Sequence, residues 1–486
     1  MFPFENQFPK ARSYRFSLPA ERPSLVRETI AYNDFHFSER HLQCVWFDTA
    51  YRPSNLMTTD GEPLWVSNPG RWNVEAGPDF LDATLIIGKE RRTLQGDVEI
   101  HIRAEDWNNH GHTQDPRYQS VVLHVTYASG TLAPEHLPPG AVQLSIKDAL
   151  DKAPGFYFEN VDTTAYPYAV PPSLANNQQA VLAAQSPDDH VQLLIAAGQE
   201  RLRRKTEMLA NSIQERGRDE AFYEAVMVTL GYKNNRVPFR QLARLVSLQV
   251  LQEYDTVRDA YATLLGVSSL LPDVIDDEWD NASRDFVRSL WDSWWKCKSG
   301  WERRIMPRGA WHLAGLRPHN HPVRRLIAAA ELFTGESSLD ERILSSDTGN
   351  PQLWIREIGQ LLEPPVSIPY WEKRLGFGGK PSNSPISIVG ASRRAAIISN
   401  VIIPFVATQG RDVSPLLPFL PVEASNQLIR QTAHLLFGPD HNPALYAGGV
   451  LQQGLIQIFH DFCLSNRLDE FVELFSQQHQ ATSSSR

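Results

Sequence analysis

Apolar residues occur in short runs between residues 61 and 146, and turn-forming residues separate these runs. Short runs rich in Val, Ile and Leu predict β-strands. A helix is predicted before them in the stretch ERHLQCVWFDTAY, because Leu42, Val45 and Trp46 have the i, i+3, i+4 spacing of a buried stripe. Ser38 precedes this stretch as a candidate N-cap. The five predicted strands are Leu64–Val66, Ala83–Ile87, Leu94–Ile102, Val121–Tyr127 and Val142–Ile146.

The pattern becomes helical beyond Leu174, where apolar residues recur with a period near 3.6. A stretch rich in Pro, Gly and Tyr at residues 129–173 separates the two patterns and is typical of a linker. We therefore predict an α/β (α+β) domain over residues 1–170 and a mostly α-helical domain over residues 171–486, with room for two subdomains. The predicted helices are Val191–Ala210, Ala221–Leu230, Arg240–Leu264, Asp285–Cys297, Val323–Phe333, Ser392–Val406 and Ala424–Phe437.

Composition narrows the class of protein. With 42% hydrophobic and 21% charged residues over 486 positions, the chain can bury a large core and is not intrinsically disordered. Its three cysteines are too few and too scattered for a disulfide framework or a CxxC metal site, which indicates a reducing compartment. The start, MFPFENQFPK, lacks the pattern of a secretory signal, and no run of about 18 apolar residues is present. We expect a cytoplasmic protein without a membrane span.

The most informative stretch is the strand GDVEIHI. Strand side chains alternate between the two faces, so Asp97, Glu99 and His101 share one face and the apolar residues between them share the other. Asp79 follows a proline at the start of the preceding strand. If the two strands pair as a hairpin, Asp79 and Glu99 approach each other, and two close carboxylates favour a divalent cation such as Mg²⁺. The alternative is the polar face of an ordinary half-solvated sheet.

The order of elements carries a resemblance. A helix containing Glu39 comes first, followed by three strands, a short helix in AEDWNNHG and a further strand. The second strand is entered at Asp79, and the third carries Glu99 and His101. This αβββαβ order resembles the core of the PD-(D/E)-x-K nuclease-like superfamily.

The resemblance implies roles for individual residues. Asp79 and Glu99 would hold Mg²⁺ or Mn²⁺, with Asp97 or Glu39 as an additional ligand. His101 stands where the superfamily has the lysine that supports the attacking water. An imidazole with a pKa of about 6.5 is a weaker fixed cation than lysine, so this departure from the motif bears on catalytic competence.

Histidines are concentrated just downstream of this strand. An imidazole–carboxylate set of this kind could bind Zn²⁺ through three protein ligands and leave a water position open. The spacing matches neither HExxH nor another zinc motif. The alternatives are that His110, His112 and His124 support the Asp79/Glu99 site, or that they make ordinary hydrogen bonds in turns and core. The five histidines are His101, His110, His112, His124 and His136.

Basic clusters lie in the helical half, although the net charge of −9 argues against nucleic-acid binding by bulk charge. Arginine makes planar, bidentate phosphate contacts, so these clusters could line a groove for a nucleic-acid backbone. For RLRRK the alternative is a solvated helix face next to Glu200 and Glu207. The candidate nucleic-acid-binding residues are Arg201, Arg203, Arg204, Arg317, Arg324 and Arg325.

Longer blocks carry a second resemblance, which extends over nearly the whole chain. TTDGEPL, NPGRWNVEAGPDFLDATLIIG, GDVEIHI, DWNNHGH and VVLHV resemble the bacterial family called domain of unknown function 2851. So do LGYKNNRVPF, RPHNHPVRRLIAAA, SRRAAIISNVIIPF and QGLIQIFHDFC. The family name implies no activity.

Three hypotheses follow for the function. The first is a Mg²⁺- or Mn²⁺-dependent nuclease with its metal at Asp79 and Glu99. The second is a non-catalytic nucleic-acid-binding or scaffold protein on a nuclease-like fold. The third is a zinc-dependent hydrolase that uses the histidines at residues 101–124.

Overall fold

The chain forms two compact units in a computed structural model of the protein. The helical unit comprises Met1–Phe16, Ser186–Arg430 and His441–Ile458, and the sheet unit comprises Ser17–Gln185, Gln431–Asp440 and Phe459–Arg486. The predicted boundary at residue 170 and the candidate N-cap Ser38 lie outside the described residues. The structure describes residues 4–16, 37, 39–73, 77–161, 163, 186–232, 235–313, 316–335, 338–423, 427–437 and 441–463.

The sheet unit contains one mixed sheet of seven strands, in the order β1-β2-β4-β5-β6-β7 with β3 pairing on β4. Neighbours from β1 to β5 are antiparallel, whereas β5–β6 and β6–β7 are parallel. All five predicted strands are confirmed, and the two others are only two residues long, too short to show a period. The strands are β1 Leu56–Met57, β2 Pro63–Asn68, β3 Arg71–Trp72, β4 Phe80–Ile87, β5 Arg92–His101, β6 Val121–Thr126 and β7 Val142–Ser145.

One helix covers a face of this sheet. The predicted stripe of Leu42, Val45 and Trp46 is buried in the same apolar cluster as Val98 and Ile100 of β5. Full burial of an aliphatic or aromatic side chain of this size contributes about 1.5–3 kcal/mol, so this contact holds the helix against β5. The helices of the first part of the chain are α1 Ala11–Phe16, α2 Glu39–Phe47, α3 Asp106–Asn109 and α4 Lys147–Asp151.

The remainder of the described chain is mostly helical, as predicted. Two π-helical segments, Ile398–Ile402 and Phe459–Cys463, accompany the α-helices. The α-helices are α5 Pro187–Arg216, α6 Arg218–Leu230, α7 Arg236–Leu245, α8 Leu248–Gln252, α9 Val257–Val267, α10 Asn281–Cys297, α11 Pro322–Phe333, α12 Leu339–Ser345, α13 Pro351–Leu361, α14 Ala391–Ile397, α15 Ile403–Thr408, α16 Gln427–Phe437 and α17 Gly449–Ile458.

Two predicted helices are interrupted in the structure. The segment predicted as one helix over Arg240–Leu264 forms α7, α8 and α9, because the side chains of Ser247 and Thr256 cap new helix starts. The segment predicted over Ser392–Val406 contains a π-helical turn, and Pro404 follows it without an N–H for the helical ladder. The hydrophobic periodicity of the sequence shows neither the new helix caps nor the π-helical turn.

The long helix α5 crosses α17 at unusually close range. A Cβ atom added to Gly198 would lie 2.2 Å from the carbonyl oxygen of Val450, and one added to Gly454 would lie 2.1 Å from that of Leu194. Any larger residue would therefore push the two backbones apart. These two glycines allow the two helices to pack backbone against backbone.

The first described residues belong to the helical unit, which corrects the domain predicted over residues 1–170. Phe8 and Ala11 are fully buried in its core. The Gln7 side chain donates to the Ala407 carbonyl oxygen at 3.0 Å, and Gln199 accepts from the Lys10 backbone N–H at 2.7 Å.

None of the helices in the described part of the chain has both the length and the apolar character needed to span a membrane.

Candidate functional site

Strand β5 places Glu99 and His101 side by side on one face of the sheet, as the alternation predicted. Both side chains are buried, with 6% of Glu99 and 1% of His101 exposed, whereas Val98 and Ile100 point into the apolar core on the other face. A solvated strand face would leave these polar groups in water. Because both groups are buried, they need hydrogen-bond or ionic partners within the protein.

Asp79 and Glu99 are brought together, as predicted, by backbone hydrogen bonds. The Asp79 N–H donates to Glu99 Oε2 at 3.0 Å, and the Ile100 N–H donates to Asp79 Oδ2 at 3.0 Å. The Gln43 amide donates to the second oxygen, Asp79 Oδ1, at 2.6 Å. These bonds follow from the antiparallel pairing of Phe80 with Val98. They leave Glu99 Oε1 directed toward the histidines.

Three histidines surround His101. His101 Nδ1 lies 2.9 Å from His124 Nε2, and His101 Nε2 lies 3.2 Å from His110 Nδ1. Glu99 Oε1 lies 3.4 Å from His101 Nε2 and 3.2 Å from His112 Nε2. One ring nitrogen from each of His101, His110 and His112 falls within 4.8 Å of the others. We call Glu39, Asp79, Glu99, His101, His110, His112 and His124 the histidine–carboxylate cluster.

The turn after β5 positions two of these rings. Helix α3 ends at Asn109, and Gly111 adopts a φ of +76° that L-residues rarely adopt, which directs the chain back toward the sheet. His112 then stacks on the Tyr118 ring with centroids 3.8 Å apart, and Trp107 contacts it edge-on at 5.4 Å. His110 remains exposed, so the cluster opens to solvent there.

The carboxyl groups of the cluster resist ionisation. Burial, and then the charges of Asp79 and Asp106, raise the pKa of Glu39 to about 8. Burial and then Glu99 raise the pKa of Asp79 well above its usual value. The pKa of Glu99 is also raised well above its usual value, by burial and by Glu39. A bound cation would compensate these crowded negative charges.

The imidazoles of the cluster are held neutral. Burial lowers the pKa of His101 well below its usual value, and His124 and His110 lower it further. Burial and then His112 lower the pKa of His124 to about 4. The pKa of His112 is also lowered, first by burial. Neutral imidazole is the form that ligates metals.

One buried ring nitrogen fits a metal site. His112 Nε2 has no hydrogen-bond partner within the described residues, although it lies 3.2 Å from Glu99 Oε1. An unsatisfied buried polar atom costs about 1–3 kcal/mol, and a cation between His112 and Glu99 would remove that cost for His112. Nitrogen donors combined with one carboxylate oxygen suit Zn²⁺ or Mn²⁺ better than Mg²⁺.

Asp97 does not join the cluster, contrary to the alternation. Its carboxylate accepts from Ser120 Oγ at 2.5 Å and from the Asp82 N–H at 3.1 Å. The pairing of β5 with β6 shifts register between Asp97 and Val98, and this irregularity breaks the period of two. Glu39 does belong to the cluster, as its electrostatic coupling to Asp79 indicates.

Sequence reasoning missed three residues that shape the cluster. Gln43 lies one helical turn after Glu39, so the i, i+4 spacing on α2 could have identified it. Trp107 is fully buried and contacts the His101, His112 and His124 rings. Nothing in the local pattern points to Tyr118, which reaches the cluster through the turn Pro116–Tyr118.

The structure corrects the basic groove for Arg203, Arg324 and Arg325. Arg203 is 4% exposed and pairs with Glu200 at 2.9 Å, which matches the helix-face alternative. Arg324 is fully buried and donates to the carbonyl oxygens of Trp371, Arg374, Ile386 and Ser387.

The other predicted arginines have mixed environments. Arg325 is 5% exposed and donates to Asn320 Oδ1 at 2.8 Å. Arg204 pairs with Glu200 at 2.9 Å, and Arg201 donates to Gln453 Oε1 at 2.9 Å. Arg317 is the one exposed residue among the six. The six residues therefore do not form one surface groove.

The chain matches one family model over residues 39–415, described as a protein of unknown function, DUF2851. The match covers more than half of the chain, so the chain belongs to the DUF2851 family, as predicted; the block QGLIQIFHDFC alone lies beyond the matched residues. Neither the curated proteins nor the solved structures contain a significant match.

Proposed function

We propose that this DUF2851 member is a metal-dependent hydrolase that cleaves phosphodiester bonds in nucleic acid. The observation that carries the proposal is the position of Glu99 Oε1, within 3.4 Å of ring nitrogens of both His101 and His112 in a cluster that opens at His110. Buried neutral imidazoles facing a carboxylate are a donor set for a divalent transition-metal ion.

The ligands in this proposal are Glu99, His101, His110 and His112. Their nitrogen-rich donor set favours Mn²⁺ or Zn²⁺, and Mg²⁺ becomes the less suitable ion because it prefers oxygen ligands. A divalent ion held there would polarise a phosphoryl oxygen and acidify water.

The surrounding residues orient these ligands. Asp79 holds Glu99 Oε2 through its backbone N–H at 3.0 Å, so the other oxygen stays directed at the histidines. His124 contacts His101 Nδ1 at 2.9 Å and so sets the orientation of that ring. Trp107 and Tyr118 pack against the rings and exclude water from their buried side.

We assign nucleic acid as the substrate class from the order of helices and strands around the cluster. Helix α2, the antiparallel strands β2, β4 and β5, helix α3 and the parallel strand β6 follow one another along the chain. This order resembles the nuclease-like superfamily, in which the equivalents of Asp79 and Glu99 hold the metal. The likeness is an analogy of fold, and His101 replaces its lysine.

The experiment measures metal content and cleavage on the full-length protein. Purified protein is analysed for bound metals, stripped with EDTA, reloaded with Mg²⁺, Mn²⁺ or Zn²⁺, and incubated with single- and double-stranded DNA and RNA. Glu99→Gln is compared with Glu135→Gln, which changes an exposed glutamate in the same unit. We expect about one bound ion per chain, and cleavage that EDTA and Glu99→Gln abolish and Glu135→Gln preserves.

The outcomes separate the hypotheses. Cleavage that survives both EDTA and Glu99→Gln would overturn the proposal, as would a protein that binds no metal. Stoichiometric metal without cleavage of any nucleic acid would overturn the nuclease assignment. It would favour the second candidate, a zinc-dependent hydrolase of another substrate class, which the same histidine donors support.

A further inference from the structure

The helical unit presents a basic and aromatic surface where helix α10 ends. Residues 296–304 contain four cations and one carboxylate, Glu302. Three of the cations are exposed, and Lys298 is half-buried. An exposed tryptophan directly precedes this run. We call the tryptophan and the four cations the basic patch, which consists of Trp295, Lys296, Lys298, Arg303 and Arg304.

Trp295 is held outside the core by the packing of its neighbour Trp294. The Trp294 ring lies directly over Gly266 of α9, because a Cβ atom added there would lie 2.3 Å from the ring. Consecutive side chains of an α-helix point about 100° apart, so the burial of Trp294 turns Trp295 away from the core. Trp295 is 64% exposed, whereas Trp294 and Trp301 are 6% exposed each. A large exposed aromatic ring of this kind is typical of a contact surface.

A tight turn after α10 keeps the cations next to the tryptophans. The Trp301 N–H donates to the Lys298 carbonyl oxygen at 2.9 Å, and the Arg304 N–H donates to the Trp301 carbonyl oxygen at 2.7 Å. The Lys298 ammonium lies 4.2 Å from the centre of the Trp295 ring. The Arg304 guanidinium lies 4.6 Å from the centre of the Trp301 ring. Backbone hydrogen bonds and cation–π contacts therefore join the members of the patch.

The end of this turn is anchored at the C-terminal end of α9. The Met306 N–H donates to the Val267 carbonyl oxygen at 2.7 Å, and the Ser269 hydroxyl donates to the Met306 carbonyl oxygen at 2.6 Å. Met306 is buried, although Ile305 before it is exposed. The backbone of the patch is thus fixed to the core, while its charged side chains remain at the surface.

Carboxylates do not neutralise the patch. Within the described part of the chain, none of its four cations forms an ion pair with a carboxylate. Asp259 interacts electrostatically with Lys296, but its carboxylate accepts from the Thr256 hydroxyl at 2.6 Å. Residues 296–304 have a formal charge of +3 in a chain with a net charge of −9. A local surface of this sign attracts polyanions.

We propose that the basic patch binds single-stranded nucleic acid, with a base stacked on Trp295 and backbone phosphates paired with Arg303 and Arg304. Stacking on an aromatic ring and cationic contacts to phosphates are the two contributions that hold single strands without sequence preference. Lys298 lies over one face of the Trp295 ring, so the base would stack on the other. This inference rests on the substrate class proposed above, but not on the metal.

The shape of the patch favours nucleic acid over an anionic membrane. Helix α10 directs its apolar residues Val287, Leu290 and Trp294 into the protein. Trp295 and Ile305 are the exposed apolar side chains of residues 295–305. A helix that binds a bilayer surface inserts a continuous apolar face, which α10 does not offer to solvent. A single exposed ring is enough to stack one base.

Fluorescence anisotropy with the full-length protein tests the patch. Fluorescein-labelled oligo-dT and oligo-U are titrated in EDTA, which prevents metal-dependent cleavage, and each titration is repeated over a series of salt concentrations. The variants are Trp295→Ala and Arg303→Gln. The matched controls are Leu353→Ala and Arg356→Gln, which change exposed residues of α13 in the same unit. Thermal unfolding of each variant checks that it is folded.

The two variants should differ in how they weaken binding. Trp295→Ala should raise the Kd by about fivefold or more at every salt concentration, because it removes one stacked base. Arg303→Gln should also reduce the slope of log Kd against log salt by about 0.7, because it removes one phosphate contact. Both control variants should bind as the wild type does.

The proposal is overturned if the wild-type protein binds neither oligonucleotide at micromolar concentration in low salt. It is also overturned if Trp295→Ala and Arg303→Gln both bind as tightly as their controls. Cosedimentation with vesicles of phosphatidylcholine and phosphatidylserine runs in parallel. Vesicle binding without oligonucleotide binding would identify a membrane as the partner and overturn the proposal.

The patch and the hydrolase can fail separately. If the protein holds a metal ion and cleaves nucleic acid, but the patch variants bind oligonucleotides normally, only the basic patch is wrong. If the patch variants lose binding and the protein holds no metal ion, only the hydrolase is wrong.

Discussion

The sheet unit and the helical unit both bury charged side chains, but they hold these side chains in place by different means. In the histidine–carboxylate cluster, backbone hydrogen bonds from Asp79 and Ile100 hold the carboxylates within one hairpin. In the helical unit, the buried Arg324 guanidinium donates to the carbonyl oxygens of Trp371 and Ile386, about fifty residues or more downstream. The strand pair therefore assembles its charged groups from residues close in sequence, whereas the helical unit satisfies Arg324 from distant segments.

The cluster also differs from Arg324 in how its polar atoms are satisfied. Four carbonyl oxygens accept from the two terminal nitrogens of Arg324, whereas His112 Nε2 in the cluster has no hydrogen-bond partner within the described residues. Three substitutions test whether Arg324 serves the fold and the cluster serves a metal ion.

The largest effect is expected from Arg324→Met. Removing the guanidinium leaves buried carbonyl acceptors without donors, so the free energy of unfolding should fall by about 3 kcal/mol or more. Urea denaturation measures it, with Arg317→Met as the exposed control that should change stability by less than about 0.5 kcal/mol. If Arg324→Met were as mild as Arg317→Met, the assignment of Arg324 to the stability of the fold would be wrong.

A smaller effect is expected from Asp79→Asn. The amide keeps the shape of the side chain, but it cannot accept from both the Ile100 N–H and the Gln43 amide, so the turn that places the Asp79 N–H on Glu99 is loosened. Loss of a residue that orients a metal ligand typically changes metal affinity by roughly 10- to 100-fold. Competition with a chelating dye measures the affinity. Asp97→Asn is the matched control, because the Asp97 carboxylate bonds to Ser120 and Asp82 outside the cluster. If both variants lost metal affinity equally, the loss would come from a general disturbance of the hairpin and not from the Asp79 side chain.

The smallest effect, and one of opposite sign, is expected from Glu39→Gln. The pKa of Glu39 is raised to about 8 in the folded protein, so ionising it opposes folding as the pH rises from about 4.3, its unfolded value. Because the Glu39 side chain is only half-buried, solvent screening leaves a fraction of this effect, and in EDTA the glutamine variant should be more stable than the wild type by about 1 kcal/mol near pH 7. Urea denaturation at pH 5 and pH 8 checks the sign. If the stability difference between Glu39→Gln and the wild type became smaller from pH 5 to pH 8, the prediction would be wrong.

Much of the candidate site was predictable because the residues of β5 alternate clearly and because Pro78 and Asp79 mark the start of β4. The alternation placed Glu99 beside His101, and the hairpin placed Asp79 beside Glu99. The same alternation placed Asp97 wrongly, since a register shift is a property of the pairing with β6 and not of the β5 sequence. Trp107 and Tyr118 reach the site through turns whose course depends on tertiary packing.

The basic residues were the hardest to predict. A run such as RLRRK looks the same on a solvated helix face and at a buried ion pair, and only tertiary contacts show that Arg203 pairs with Glu200. Likewise, nothing near Arg324 in the sequence points to carbonyl acceptors about fifty residues or more downstream. Local pattern identifies which residues are charged, whereas the fold decides which charges are satisfied.

The close crossing of α5 and α17 has a consequence for how the protein is made. Gly454 follows Gly198 by roughly 250 residues, so at about 5–20 residues per second a ribosome delivers the second glycine on the order of 10–50 seconds after the first. During that interval the α5 face at Gly198 has no α17 to pack against. The helical unit therefore completes this crossing only after α17 has been synthesised.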